Sequence, residues 1–183
     1  MINAVAAYCG TAAAGAEDIA HAHAMAREHI SKDIVSRATM QAVQNLTGAS
    51  VFVSRENGAI TGMAAFFLLR QSGLSALERG QFDPVNLDLS LLCRPREVPA
   101  GGYGWGFVGT TDRGAGRVVK TSVAIRETLL WALPGYTRAA TDAGARIIFG
   151  PFGFDHVPCD ATLGMCAPRT APLMGVINDA KAA

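Results

Sequence analysis

Asn57-Gly58 stands between two runs rich in strand-forming residues, Val51–Ser54 and Ala59–Leu69. An Asn-Gly pair readily supplies the two positive φ angles of a type I′ turn, whose twist joins antiparallel strands directly. The three segments therefore predict a β-hairpin. Helical periodicity on both sides of it sets the expected class as α/β, with a central, mostly antiparallel sheet flanked by helices.

Before the hairpin, residues 1–14 are rich in Ala and Gly and leave open a frayed terminus or a short added strand. Glu17 and Asp18 then open a helical pattern with Ile19, Ala22, Ala26 and Ile30 on one face. Acidic residues in a first turn suit the positive end of the helix dipole. Ser31 is placed to cap a second helix through Ile34, Val35, Ala38, Ala42, Val43 and Leu46, ended by Gly48. After the hairpin come a short helix or loop near Leu74–Gly80, an alternating Leu87, Leu89, Leu91 strand and a Pro-bearing loop, Arg94–Gly102. A strand follows over Tyr103–Thr110, then a turn at Asp112–Gly116 and a long helix over Arg117–Leu133. Pro134-Gly135 interrupts the pattern before a shorter helix to about Ala143 and a compact strand at Ala145–Phe149. Gly150–Pro172 has no readable period. No internal repeat or linker divides the chain, so a single domain over residues 1–183 is expected.

The net charge of +1 carries no basic stripe of the kind a nucleic-acid-binding domain shows. The longest unbroken apolar run, Met63–Leu69, is far short of the ~20 residues that span a bilayer. With no charged leader at Met1–Gly10 and four scattered cysteines, the expectation is a cytoplasmic protein without membrane span, secretory signal or disulfide framework. The run Met63–Leu69 and the Ala-rich N-terminus also make a homodimer plausible. His156, Cys159 and Cys166 lack the tight paired spacing of a structural zinc site. His21, His23 and His29 are not three or four residues apart, as ligands on one helix face should be. No metal site is expected.

Two neighbouring features carry the functional reading. In Tyr103–Thr110, alternation directs Tyr103, Trp105 and Phe107 to one face and leaves Gly102, Gly104 and Gly106 as a bare second face. Glycines in a strand mark a bulge or the close approach of a ligand or another backbone. The strand then runs into Thr110-Thr111-Asp112-Arg113-Gly114-Ala115-Gly116-Arg117. Unpaired N–H groups at a helix start, aided by the helix dipole, receive a phosphate well, and Arg113 and Arg117 add charge. An ordinary tight turn with solvated arginines would have the same sequence. Gly109 and Gly114 have P-loop spacing, but Ala115 stands where its Lys belongs; Gly104, Gly106 and Gly109 match GxGxxG, but inside a strand rather than after one.

The order helix, helix, hairpin, strand, glycine turn, long helix, strand resembles the GNAT superfamily of N-acyltransferases. Val51–Ala65 is similar to its second and third strands. Arg113-Gly114-Ala115-Gly116 resembles its pyrophosphate loop, [QR]-x-x-G-x-[GA], with Val118 in the last place. Phe152-Gly153-Phe154 is similar to the Leu-Gly-Phe that often closes the fold, although the helix expected between the last strands is not evident. The insert Arg70–Gly102 is similar in layout to the toxin-activating lysine acyltransferases. The resemblance implies acetyl-CoA or another acyl-CoA as co-substrate and a small-molecule or protein amine as acceptor. It implies that Phe107, Val108, Gly109 and Thr110 hold the pantetheine arm and thioester, and that Arg113, Gly114, Ala115, Gly116, Arg117 and Val118 cradle the pyrophosphate. It supplies no general base: Asp88, Glu97, Asp112, His156 and Cys159 all remain open, and no tyrosine stands where the family's usual acid would be. A GNAT-like module without catalysis, and a small α/β protein binding another phosphorylated ligand at the same turn, are the alternatives.

Overall fold

The computed structural model describes residues 1–150, 152–158 and 160–170; Cys159 lies outside them. The hairpin forms as expected, from β2 (Val51–Glu56) and β3 (Ala59–Leu69), with Asn57 at φ 51° and Gly58 at φ 83° in the turn. It anchors a seven-stranded sheet completed by β1 (Ala12–Ala13), β4 (Gly101–Gly109), β5 (Gly135–Arg138), β6 (Asp155–Val157) and β7 (Asp160–Cys166), in the order β1-β2-β3-β4-β5-β7-β6. Every neighbouring pair is antiparallel except β4 and β5.

The continuous apolar run of β3 reflects cover on both faces of the sheet. Met63, Ala65, Phe67 and Leu69 face a layer made by α2 (Ala16–His29), α3 (Arg37–Thr47) and α4 (Gln71–Glu78). Ala64 and Phe66 face α1 (Ile2–Tyr8) and α5 (Asp112–Thr128). The run that suggested a homodimer is thus enclosed by its own chain; Phe67 is fully buried. α6 (Asp142–Phe149) lies against β7 on the α5 side.

Local chemistry explains where the elements depart from expectation. The N-terminus forms a helix, α1, as well as the short strand. α3 begins after Ser36, whose hydroxyl accepts the Thr39 N–H at 3.1 Å, while Ser31 makes only a local turn with the Asp33 N–H. Leu87, Leu89 and Leu91 do not form a strand: the Asp88 carboxylate accepts the Ser90 N–H and closes a 3₁₀ turn over Leu89–Leu91. The strand and helix expected after Pro134 change places. Gly135–Arg138 is β5, and Ala145–Phe149 belongs to α6, which Thr141 starts by accepting the Gly144 N–H at 3.0 Å. A short apolar run such as Ile147-Ile148-Phe149 fits either period, and the cap decides it. α6 is also the helix that the sequence leaves without evident signal, and Phe152-Gly153-Phe154 follows it, with Gly153 at φ 63°. Among the described residues, no helix is long and apolar enough to cross a membrane.

Candidate functional site

The site begins at a defect in the sheet. Opposite β4, Ala65 pairs with Gly106 but Phe66 pairs with Gly104, so Trp105 is an extra residue, a β-bulge. A bulge reverses the facing of the residues beyond it. Trp105 stays with Tyr103 against Phe67, but Gly106 joins them on that face, where an added Cβ would lie 3.1 Å from Ile30 and 3.4 Å from Met63. Phe107 turns to the α5 face, its ring 2.8 Å from where a Cβ on Gly104 would sit. The glycine-bare face expected from strict alternation is therefore Gly102, Gly104 and Gly109, with Phe107 laid over it.

The bulge also ends the pairing with β5. β4 and β5 run parallel only from Gly102–Gly135 to Gly104–Thr137, where the Thr137 hydroxyl donates to the Gly104 carbonyl at 3.1 Å. Past that point the strands part and leave a wedge. Thr110 donates its N–H to the Thr61 carbonyl at 2.9 Å, and opposed residues of an antiparallel ladder alternate between bonded and non-bonded pairs. Val108 and Thr110 accordingly bond to β3, whereas Phe107 and Gly109 turn their N–H and C=O into the wedge. Of the four strand residues expected to meet a ligand through their backbone amides, these two have them free to do so.

α5 starts at the mouth of the wedge, and the expected glycine turn is its first turn. Thr111 caps it, its hydroxyl accepting the Gly114 N–H at 2.9 Å. The Asp112 and Arg113 N–H groups precede the first intrahelical acceptors and point outward. A Cβ on Gly114 would lie 2.2 Å from the Thr61 carbonyl oxygen, and one on Gly109 would lie 2.4 Å from Ala115. Both glycines are there because helix and sheet touch. Gly116 differs: nothing lies within 4 Å of the space a Cβ would fill. Arg113 is exposed. Arg117 points away from the wedge, donating to the Arg55 carbonyl at 2.9 Å, and Val118 is core, packed with Phe52 and Ile125. Ala115 lies against Gly109. The structure thus sets Phe107 and Gly109 at the wedge, Arg113 and Gly116 on the exposed side of the helix start that follows it, and the side chains of Arg117 and Val118 elsewhere.

A carboxylate with no counterpart among the expected site residues sits beside this helix start. Glu56 accepts from the hydroxyls of Thr111 at 2.6 Å and Thr61 at 3.0 Å, bonds that hold its pKa below the ordinary carboxylate value, with Arg113 and Arg117 adding to the effect. Its position at the end of β2, far from Thr111 in sequence, leaves no local signal.

The candidate bases are dispersed. Arg70 holds Glu97 in a two-point ion pair that, with the Arg94 N–H, depresses its pKa to about 2. Such a carboxylate is a weak proton acceptor. Asp88 is occupied with its 3₁₀ cap, and Asp112 is exposed in the first turn of α5. His156 stacks on Phe149 with ring centroids 3.7 Å apart and its Nδ1 lies 3.1 Å from the Ala161 carbonyl. It shares a row with Gly164, Thr137 and Gly104, three strand spacings or about 14 Å from β4. On the opposite face of the sheet, Arg138 binds Asp160 and the Thr162 hydroxyl beside the buried Tyr103. Among the described residues, no three His, Cys, Asp or Glu side chains converge as metal ligands.

A cavity of about 310 Å³ opens beside the wedge, between the second half of α5, β4–β5 and the segment after α6. That volume is at the lower end of the range for small-molecule sites.

No protein-family model and no curated protein matches the sequence. Among solved structures, the chain is similar to an acetyltransferase of Corynebacterium glutamicum related to the histone acetyltransferase HPA2. The match has TM-score 0.51 and 16% identity, and covers 89% of this chain and 97% of that one. A second acetyltransferase structure matches with TM-score 0.46 and 15% identity over 87% of this chain and 99% of that one. The fold is the GNAT type, a mixed open sheet flanked by helices.

Proposed function

We propose that the protein is an acyl-CoA-dependent acyltransferase that moves an acetyl or longer acyl group onto an amine. The observation that carries this is the wedge: β4 and β5 pair over three residues and then part at a bulge, exposing main-chain groups of Phe107 and Gly109 beside a helix N-terminus. Such a strand edge suits the alternating amides of a pantetheine arm. The free N–H groups of Asp112 and Arg113, with the Arg113 guanidinium, suit a pyrophosphate. Gly116 leaves the outer side of that turn clear.

An acyl-CoA brings a thioester already activated for transfer, so the protein's part is to hold it, to orient the amine and to stabilise the oxyanion. A main-chain N–H at the Trp105–Gly106 bulge is the donor we assign to that oxyanion, since the bulge is where the ladder leaves a group unpaired.

The test is thermal melting with acetyl-CoA, free CoA and ATP. A ligand at about 100 times its Kd stabilises by roughly 2.7 kcal/mol, which for a chain of this length raises Tm by roughly 5–11 °C. A rise with the CoA ligands, lost in Gly116→Glu, is expected. No rise with either CoA ligand overturns the proposal, and a rise with ATP alone points to another phosphorylated ligand.

A further inference from the structure

We infer that the donor's acyl group is a chain of several carbons rather than acetyl, and that its tail occupies the cavity beside the β4–β5 junction. This rests on the reading proposed above. Three glycines floor the cavity: Gly102 and Gly104 of β4 and Gly135 of β5 lie side by side on the α5 face, with the Phe107 ring over Gly104, Arg126 beside Gly135 and Gly102 the most open of the three. Ile125 and Leu130 form one wall, with Phe152 and Phe154 opposite. Three adjacent glycines in the paired part of a sheet forgo the strand stability and packing that side chains would give. Phe107 and Thr137 account for Gly104, where a Cβ would lie 2.8 Å from the ring, and a tail laid on the sheet is a reason for the open floor at Gly102.

Position and chemistry both separate this space from the part of the site that fits the CoA moiety. The phosphate-receiving groups are at the start of α5, and the free main-chain groups of Phe107 and Gly109 come next along β4. The cavity comes after both, alongside Ser122–Leu130 and the beginning of β4. It shares Phe107 and Gly104 with the wedge, so the two are continuous. Pantetheine carries amides that need hydrogen-bond partners, and the strand edge supplies them. Of its charged lining residues, Arg169 pairs with Glu127 and Arg126 donates to the Leu130 and Ala167 carbonyls; the rest of the lining is mainly aliphatic and aromatic carbon, which suits a hydrocarbon. A donor anchored by its phosphates at Arg113 and running down β4 therefore delivers its acyl end to this space.

The experiment is the binding affinity of the full chain for free CoA and for acetyl-, butanoyl-, hexanoyl- and octanoyl-CoA, measured by titration calorimetry. Each methylene buried should tighten binding by roughly fourfold until the cavity is full, so hexanoyl-CoA should bind far more tightly than acetyl-CoA. Gly102→Val should abolish the dependence on chain length by raising the floor. Gly102→Ala is the milder companion, since a Cβ there meets its nearest atom, on Leu130, at an ordinary 3.7 Å. Equal affinity for acetyl- and octanoyl-CoA in the unmodified protein overturns the inference while leaving CoA binding intact. A chain-length gain that survives both substitutions overturns the placement in this cavity. Failure of every CoA compound to bind overturns the underlying functional reading as well.

Discussion

Gly116 offers a substitution whose effects on stability and on binding should have opposite signs. It lies inside α5 with ordinary helical backbone, and a Cβ there would meet no atom within 4 Å. A helical glycine costs about 0.5–1 kcal/mol relative to alanine, because the unfolded chain has more freedom to lose. Gly116→Ala should therefore stabilise the ligand-free protein by about that amount. On a chain of this length, 1 kcal/mol moves Tm by roughly 2–4 °C, so the rise should be about 1–4 °C. If the glycine is kept so that a pyrophosphate can lie close to the helix, the same methyl group should weaken CoA binding. A loss of about 1.4 kcal/mol would be tenfold in Kd. Melting curves without ligand and calorimetric titration with CoA read the two effects separately. A higher Tm with unchanged CoA affinity would refute the placement of the phosphates against Gly116. A lower Tm would refute the open space itself.

Other positions test the packing that builds the wedge. Gly114→Ala puts a Cβ 2.2 Å from the Thr61 carbonyl and must push α5 off the sheet; a loss of about 1–3 kcal/mol in urea denaturation is expected, and a loss below about 0.5 kcal/mol contradicts the contact. Gln44→Leu removes a buried amide that accepts from the Ser50 and Val51 N–H groups and donates to the Ala14 carbonyl. At roughly 1–3 kcal/mol for each group left unpaired, the loss should reach about 3 kcal/mol or more by the same assay. Glu97 titrates at about 2 in the folded protein against an ordinary 4.5. Its pair with Arg70 thus contributes stability that is complete above about pH 4.5 and is lost as pH falls toward 2. Arg70→Met should flatten the fall in Tm across that window, and an unchanged slope would show that the pair contributes nothing.

Elements are legible in the sequence where one residue type fixes one local geometry. Asn57-Gly58 dictates a hairpin, and Gly48, at φ 65°, ends α3 as expected. Legibility fails where two capping residues compete or a short run fits two periods. Ser31 and Ser36 both precede helical patterns, and only the contact with Thr39 separates them. The exchange of β5 and α6 has a similar origin, since Pro134-Gly135 resembles a helix interruption as readily as a strand entry. At the site, the strand and the helix start are legible as a unit, but the facing of their residues is not. Strict alternation places Phe107 with Trp105, and a bulge set by pairing with β3 separates them. The glycines of β4 signal a bulge or a close approach, but not its place at Trp105, because that is a property of the pair of strands. Glu56 and the cavity floor are hidden for the same reason: each depends on residues brought together across strands.

The glycines around the α5 start show how a phosphate signature and a packing requirement share one sequence. Gly109 and Gly114 are needed wherever helix and sheet approach this closely, with or without a ligand. Val118 takes the place where the GNAT loop pattern has glycine or alanine, and the room for it comes from the sheet: a Cβ on Gly62 of β3 would lie 2.9 Å from both the Val118 side chain and the Gly114 carbonyl. A larger residue in the helix is thus matched by a missing side chain beneath it, and α5 keeps its close seat. That seat holds the free N–H groups of Asp112 and Arg113 at the mouth of the wedge. Gly62, Gly109 and Gly114 would then influence ligand binding only through the position of α5, and substitutions there should lower stability and affinity together. Gly116 alone should separate the two.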